Sequence, residues 1–302
     1  MNKRHLLMTV LAVATFLAAG ELRPSKASAQ DVLVTGPLAG APAVRHMRVY
    51  RRNRLQLTPF AGFTLQNPHQ RTVLFGASAA YHFLDWLGVS ALFGYGAIGI
   101  DTNLTEQITR QGVTTDRNRL SLPSRGGFDE QVGEIDWMGA VQVNFVPLRG
   151  KLALFQKAFL DTDFHIFAGV AFVGITERAN TNNDAIACQA AGLDAGCVNP
   201  MSSSASLNDA YLASQRANSS RVAIAPTFGA GLSMYFTEWF GLNIEWRGLP
   251  FSWNTSGTDE SGSPAGDFAD GAINSDDRLF HFNHMFTLGF IFYVPPHAGL
   301  TE

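Results

Sequence analysis

His82, His165 and His281, with Ser78, Ser90 and Ser233, fall at positions that alternation turns to one side of a strand. A serine hydroxyl beside an imidazole is the pair that acyl-transferring hydrolases use, the ring taking the proton as the oxygen attacks. No nucleophile motif surrounds any of these serines, so the expectation is structural histidines and no catalytic residue. His281 and His284 look like a metal couple, but a separation of three puts them on opposite faces of a strand, where they cannot hold one ion. The same count leaves His284 turned outward, and no metal is expected.

Gly94-Tyr95-Gly96-Ala97-Ile98-Gly99 spells the glycine pattern of dinucleotide binding. That pattern needs a helix directly after it, and residues 100–115 carry no helical apolar stripe. The glycines are read as easing strand curvature, and no cofactor is expected. Residues 254–278 hold Asp259, Glu260, Asp267, Asp270, Asp276 and Asp277 in a spacing that fails the calcium-loop template. They read as a solvated, mobile loop. Cys188 and Cys197 are the only two cysteines, with a polar stretch free of histidine between them, and in an exported chain they read as a disulfide. Arg54, Glu134, Asp136, Glu245 and Arg247 make an inward charge set, either a conduction path or a buried ion-pair network that plugs the interior.

"Inward" follows from the elements that must carry these groups. In residues 239–247, Phe240, Leu242, Ile244 and Trp246 alternate with Gly241, Asn243, Glu245 and Arg247. One face is wholly apolar, and the other holds a carboxylate and a guanidinium, which a strand tolerates when that face looks into a polar interior. Residues 131–147 repeat the logic, with Ile135, Trp137, Val141, Val143 and Phe145 against Glu134, Asp136, Gln142 and Asn144. So do residues 279–294, with Phe280, Phe282, Phe286, Leu288, Phe290 and Phe292 against His281, Asn283 and Thr287. No apolar run after the first 29 residues reaches the 18 a membrane helix needs, although 46% of the chain is hydrophobic.

The period-two reading gives eight strands, near 54–65, 72–83, 86–100, 131–147, 162–177, 221–236, 239–253 and 279–294. The expected fold is all-β: an eight-stranded antiparallel transmembrane β-barrel with long extracellular loops. Every long polar connection (101–130, 178–220 and 254–278) falls on one side. Residues 148–161 place Leu148, Leu152, Phe155 and Phe159 at helical spacing beside Arg149, Lys151 and Lys157, which predicts a short periplasmic amphipathic helix. Tyr81, Trp86, Tyr235, Trp239 and Tyr293 are expected to form the aromatic girdle at the turn side; Tyr95, Trp137, Trp246 and Trp253 lie toward the outer rim.

Asn2, Lys3, Arg4 and His5, then uncharged Leu6 to Ala19, then Ala27-Ser28-Ala29, read as a cleaved signal peptide over 1–29. The remaining domains are a periplasmic arm over 30–53, the barrel over 54–294 and a tail over 295–302. Losing Lys3, Arg4, Arg23 and Lys26 with Glu21 takes the net charge from −3 to −6. That acidity argues against nucleic acid as partner. The one basic cluster, Arg45, Arg48, Arg51, Arg52 and Arg54, reads as a solvated or headgroup-facing arm.

With those residues in place, the chain resembles small OmpA-like outer-membrane β-barrel domains, and more closely the myxobacterial-type outer-membrane β-barrel domain proteins. The resemblance rests on Arg51-Arg52-Asn53-Arg54-Leu55-Gln56-Leu57-Thr58-Pro59-Phe60-Ala61-Gly62, Asn67-Pro68, Tyr81-His82-Phe83 and Trp86-Leu87-Gly88-Val89, with Pro147 to Lys151, Asp161 and Asp163. It covers about residues 50–295 and implies location and fold, little about activity. One departure is the end, where Phe292-Tyr293-Val294 is followed by Pro295 to Glu302. The expected function is a structural or surface-interaction role in the cell envelope, without enzymatic activity. The alternatives are a narrow pore for ions or small solutes, and a lipid-modifying hydrolase or acyltransferase at the lumen or rim. Expected partners are outer-membrane lipid and lipopolysaccharide, and an envelope protein contacted by the 178–220 loop.

Overall fold

The structure, a computed structural model, describes residues 51–296 except 66, 113–119, 124, 126, 155–157, 179–180, 194–203 and 265–267. The signal-peptide segment and most of the arm, Arg45 and Arg48 included, lie outside the described residues.

Eight strands close into a barrel: β1 (Arg54–Leu65), β2 (Gln70–His82), β3 (Leu87–Asp101), β4 (Glu134–Leu154), β5 (Ala158–Arg178), β7 (Asn218–Tyr235), β8 (Phe240–Trp253) and β10 (Leu279–Val294). Each pairs antiparallel with its chain neighbour, and β1 pairs with β10 from Leu55↔Val294 to Leu65↔His284. Closure leaves no strand edge unpaired around the ring. Two-residue strands β6 (Thr181–Asn182) and β9 (Ala272–Ile273) pair with each other in the long connections. Those connections also carry α1 (Asn103–Gln111), α2 (Phe128–Gln131), α3 (Asn183–Ala190) and α4 (Ser204–Ser214).

Alternation sorts the side chains as a membrane-spanning barrel requires. Phe93, Val141, Val143, Ile224, Leu288 and Phe290 stand on the outer face and are exposed, while Thr58, Ser90, Gln142, Asn144, Ser233, Asn243 and Thr287 are buried inside. Gly94, Gly96 and Gly99 lie within β3, in the barrel wall. A Cβ on Gly96 would come within 2.3 Å of the Ile135 carbonyl, so close strand packing accounts for that glycine. Helix α1 does begin soon afterwards, but the motif forms no turn before it.

Residues 148–161 correct the sequence reading. The described residues there form no helix; pairing resumes at Leu148↔Phe164 after a register shift and continues to Leu154↔Ala158. Leu148 and Leu152 are four apart, which fits one turn of helix and also two periods of a strand, so the spacing did not discriminate.

The girdle is also revised. Tyr81, Trp86 and Trp239 are exposed at the turn end, but Tyr235 and Tyr293 are buried inside the barrel, and so is Trp253 near the loop end. All three share the odd parity of the lumen residues on their strands. Trp137 and Trp246 stand on the outer face, Trp137 stacked on Phe93 and Trp246 against Phe228.

Candidate functional site

The lumen has three layers. At the turn end Arg51 donates to Asp163 and to the Tyr235 hydroxyl. Tyr235 and Tyr293 hydroxyls lie 3.3 Å apart, Tyr293 donates to Gln56 Oε1 at 2.9 Å, and the same oxygen meets His82 Nε2 at 3.0 Å. Arg54 sits 4.6 Å over the Tyr293 ring and donates to the carbonyls of Pro295, Pro296 and Glu238. Arg51 and Arg54 therefore form a floor rather than a solvated arm, which corrects the reading of the basic cluster; Arg52 is exposed.

The middle layer is polar. His165 Nε2 lies 3.2 Å from Glu245 Oε1, which also accepts from Asn243 at 2.6 Å. Arg247 donates to Gln142 Oε1 at 2.7 Å and Thr227 at 3.0 Å, approaches Glu245 at 3.5 Å and lies 4.3 Å over Phe167. A small cavity of about 30 Å³ lies among these groups. Ser90 accepts from Asn144, and Ser233 donates to Asn243. None of Ser78, Ser90 and Ser233 is hydrogen-bonded to a histidine ring.

The layer toward the loop end is apolar. Leu74, Leu92, Met138, Val173, Ile175, Leu249, Phe251, Trp253 and Met285 fill it as one buried cluster. Such side chains leave no hydrated path across that half of the barrel.

Glu134 and Asp136 are not part of this interior network. β4 bulges between Ile135 and Trp137, which turns Ile135 into the apolar cluster. Asp136 accepts from Thr176 at 2.7 Å, and Glu134 is exposed and accepts from Gln70 at 2.8 Å.

Above the apolar layer the long connections form a cap that the sequence did not reveal. Residues 254–259 are buried, not a mobile loop. Leu120, Ile186, Ala210, Tyr211 and Ile273, from three connections, make a second apolar core. Asp259 accepts from the Asp270 and Gly271 amides, and Asp277 from those of Glu260, Ser261 and Asn274. Burial raises the Asp259 carboxyl from its ordinary range, and the Gly271 and Asp270 amides pull the other way. The acids thus shape backbone. Cys188 is buried in α3, and its expected partner Cys197 lies outside the described residues.

Two buried charges at the end of β5 latch the cap down. Glu177 accepts from Arg221 and Arg278, each at 2.6 Å, and from the Asn254 amide at 3.0 Å. Arg178, 1% exposed, donates to Gln131 Oε1 at 3.1 Å, Gly257 O at 3.0 Å, Ser214 O at 3.2 Å and Ser214 Oγ at 2.8 Å. Gly257 has φ 64°, and a Cβ there would stand 2.1 Å from the Gln131 carbonyl. Gly257→Ala is expected to destabilise the cap by about 1–3 kcal/mol. Hydrogen exchange would register this as faster amide exchange across 254–278 with strand amides unchanged.

No family model matches the chain, and no curated protein does. Among solved structures it is similar to the N-terminal β-barrel domain of Pseudomonas aeruginosa OprF, at 13% identity over 80% of this chain and 98% of that one, TM-score 0.38. It is also similar to P. aeruginosa outer membrane protein OprG (10% identity, 83% and 100% covered, TM-score 0.35). A third is the Yersinia pestis attachment invasion locus protein Ail (8%, 80% and 96%, TM-score 0.32). The fold itself rests on the strand pairing described above.

Proposed function

We propose that the protein is an integral barrel of a bacterial outer membrane that conducts nothing, catalyses nothing, and holds a folded cap at the cell surface as an interaction platform. The observation that carries this reading is the combination of an exposed apolar outer wall with a lumen sealed by the cluster around Leu249, Phe251 and Trp253. A conduction path needs continuous polar lining, and the apolar half interrupts it. An acyltransferase needs a serine activated by a base, and Ser90 and Ser233 engage amides instead.

The long-loop end faces outward in this reading, as in barrels with short internal turns. The cap has its own apolar core, so its outer surface has a defined shape to offer to a partner. In planar bilayers the purified protein is expected to give no stable channel, and a variant lacking the cap residues 255–277 is expected to stay closed because the apolar layer remains. Sustained unitary conductance from the unmodified protein would refute the reading. Conductance only after cap removal would show that the cap, not the apolar layer, is the seal.

A further inference from the structure

Four rings form a closed set on the outer wall of β7, β8 and β10. Trp246 stacks on His284 at 5.6 Å, His284 lies 4.7 Å from Phe282, Phe282 5.7 Å from Phe228, and Phe228 6.3 Å from Trp246. Gly248 sits beneath them, paired with Phe228 on one side and His284 on the other. A Cβ there would meet Phe282 at 3.0 Å, so the glycine lets the rings close over the backbone.

The chemistry of one contact fixes the rest. Trp246 Nε1 lies 3.1 Å from His284 Nδ1. An indole N–H only donates, so Nδ1 accepts, and the ring proton must reside on Nε2. Among the described residues Nε2–H meets no acceptor, and His284 stands among outward-facing phenylalanines. An unsatisfied donor at a lipid face costs several kcal/mol, so an acceptor from outside is strongly favoured.

Depth narrows what that acceptor is. Phe280 pairs with exposed Ser252, the last outward polar side chain of β8 toward the loop end. Four residues further down, His284 lies about 10 Å deeper for a strand tilted about 40°. Measured up from Phe292, which stacks on the turn-end Trp239, His284 lies eight residues and about 21 Å higher at that tilt, near the top of an apolar band about 25 Å tall, where the nearest acceptors a leaflet offers are the ester carbonyls at the head of its acyl chains. A second copy docked by the same patch would set donor against donor, because both Nδ1 atoms are already occupied.

Resting on the membrane-spanning reading above, we propose that the Phe228–Trp246–Phe282–His284 cluster is a docking site for an ester-linked acyl lipid of the surrounding leaflet, its carbonyl oxygen accepting from His284 Nε2–H. The rings bear on the upper acyl chain, and the hydrogen bond selects the linkage.

The test places the full-length protein in nanodiscs of diacyl phosphatidylcholine or of the dialkyl ether lipid with the same chains. Insertion is checked first by heat-modifiable migration on gels. The His284 Nε2–H proton resonance is expected downfield in the ester lipid and shifted upfield in the ether lipid. In mixed nanodiscs, ester lipid retained by the protein in native mass spectrometry should exceed ether lipid by about fivefold, equivalent to about 1 kcal/mol. The preference should vanish in His284→Phe that still migrates as a folded barrel. Equal resonances and equal retention in inserted wild-type protein overturn the lipid site alone, as does His284-dependent cross-linking to a second copy or another protein. Failure to insert into either lipid overturns the membrane reading itself.

Discussion

Val141→Arg is expected to cost the inserted barrel about 2–4 kcal/mol, because it sets a charge at mid-height on the lipid-facing wall. Val141 is 60% exposed and lies in the middle of the wall, between Ala91 of β3 and Val170 of β5. Its chain neighbour Gln142 is 5% exposed and turned to the lumen, where it accepts from Arg247. A guanidinium at 141 has no aqueous route except up the wall, whereas polar groups at 142 are already accommodated. Folding into lipid vesicles, followed by urea titration, should therefore show a large loss for Val141→Arg and a smaller one for Gln142→Glu, which keeps an acceptor for Arg247. Equal losses at the two positions would mean that side 141 does not face hydrocarbon.

Arg178→Met is expected to free the cap while leaving the barrel intact. The substitution keeps most of the aliphatic volume and removes the cation that four acceptors share. Gln131 Oε1 keeps Gln215 Nε2 and Ser214 O keeps the Ala217 amide, so Gly257 O and Ser214 Oγ are left without a donor; at about 1–3 kcal/mol each, the loss of about 2–6 kcal/mol exceeds what a small satellite core can absorb. Limited proteolysis should then cut within 204–217 and 254–278 at rates at least tenfold above wild type, while heat-modifiable migration persists. Arg178→Lys should recover little, because an ammonium cannot span Gln131, Gly257 and Ser214 together. If Arg178→Met resists protease as wild type does, the cap is held by its apolar core instead.

The barrel was legible because lipid and lumen impose opposite chemistries on successive residues. β1 and β10 were read at their observed bounds, and β8 within a residue at its start. The errors came where two patterns share a period or where the period breaks. Leu148 and Leu152 fit a helix and a strand equally. At Ile135 a bulge reversed the parity on which the placement of Asp136 depended. Residue type alone places Tyr235 and Tyr293 in the girdle, although the parity that puts Ser233 and Thr287 inside puts them there too.

The cap was not legible, for a different reason. Its core joins Leu120, Ile186, Tyr211 and Ile273, each isolated in polar sequence, so no local periodicity marks them. Its acids look like a solvated charge run until their oxygens are seen to accept backbone amides. The His284 donor was visible only as an apparent misfit of a polar residue on the outer wall; the indole that fixes its proton lies 38 positions away in the chain.

The seam between β1 and β10 carries a kinetic consequence. Seven of the eight pairings around the ring join strands that follow one another along the chain, and each can form as a hairpin. The eighth brings Leu55 to Val294 and can form only after the rest of the sheet has curled. Until that moment the nascent sheet has two open borders able to capture a foreign strand, so the final hydrogen-bonded join is the step most exposed to aggregation and the one most helped by assisted delivery.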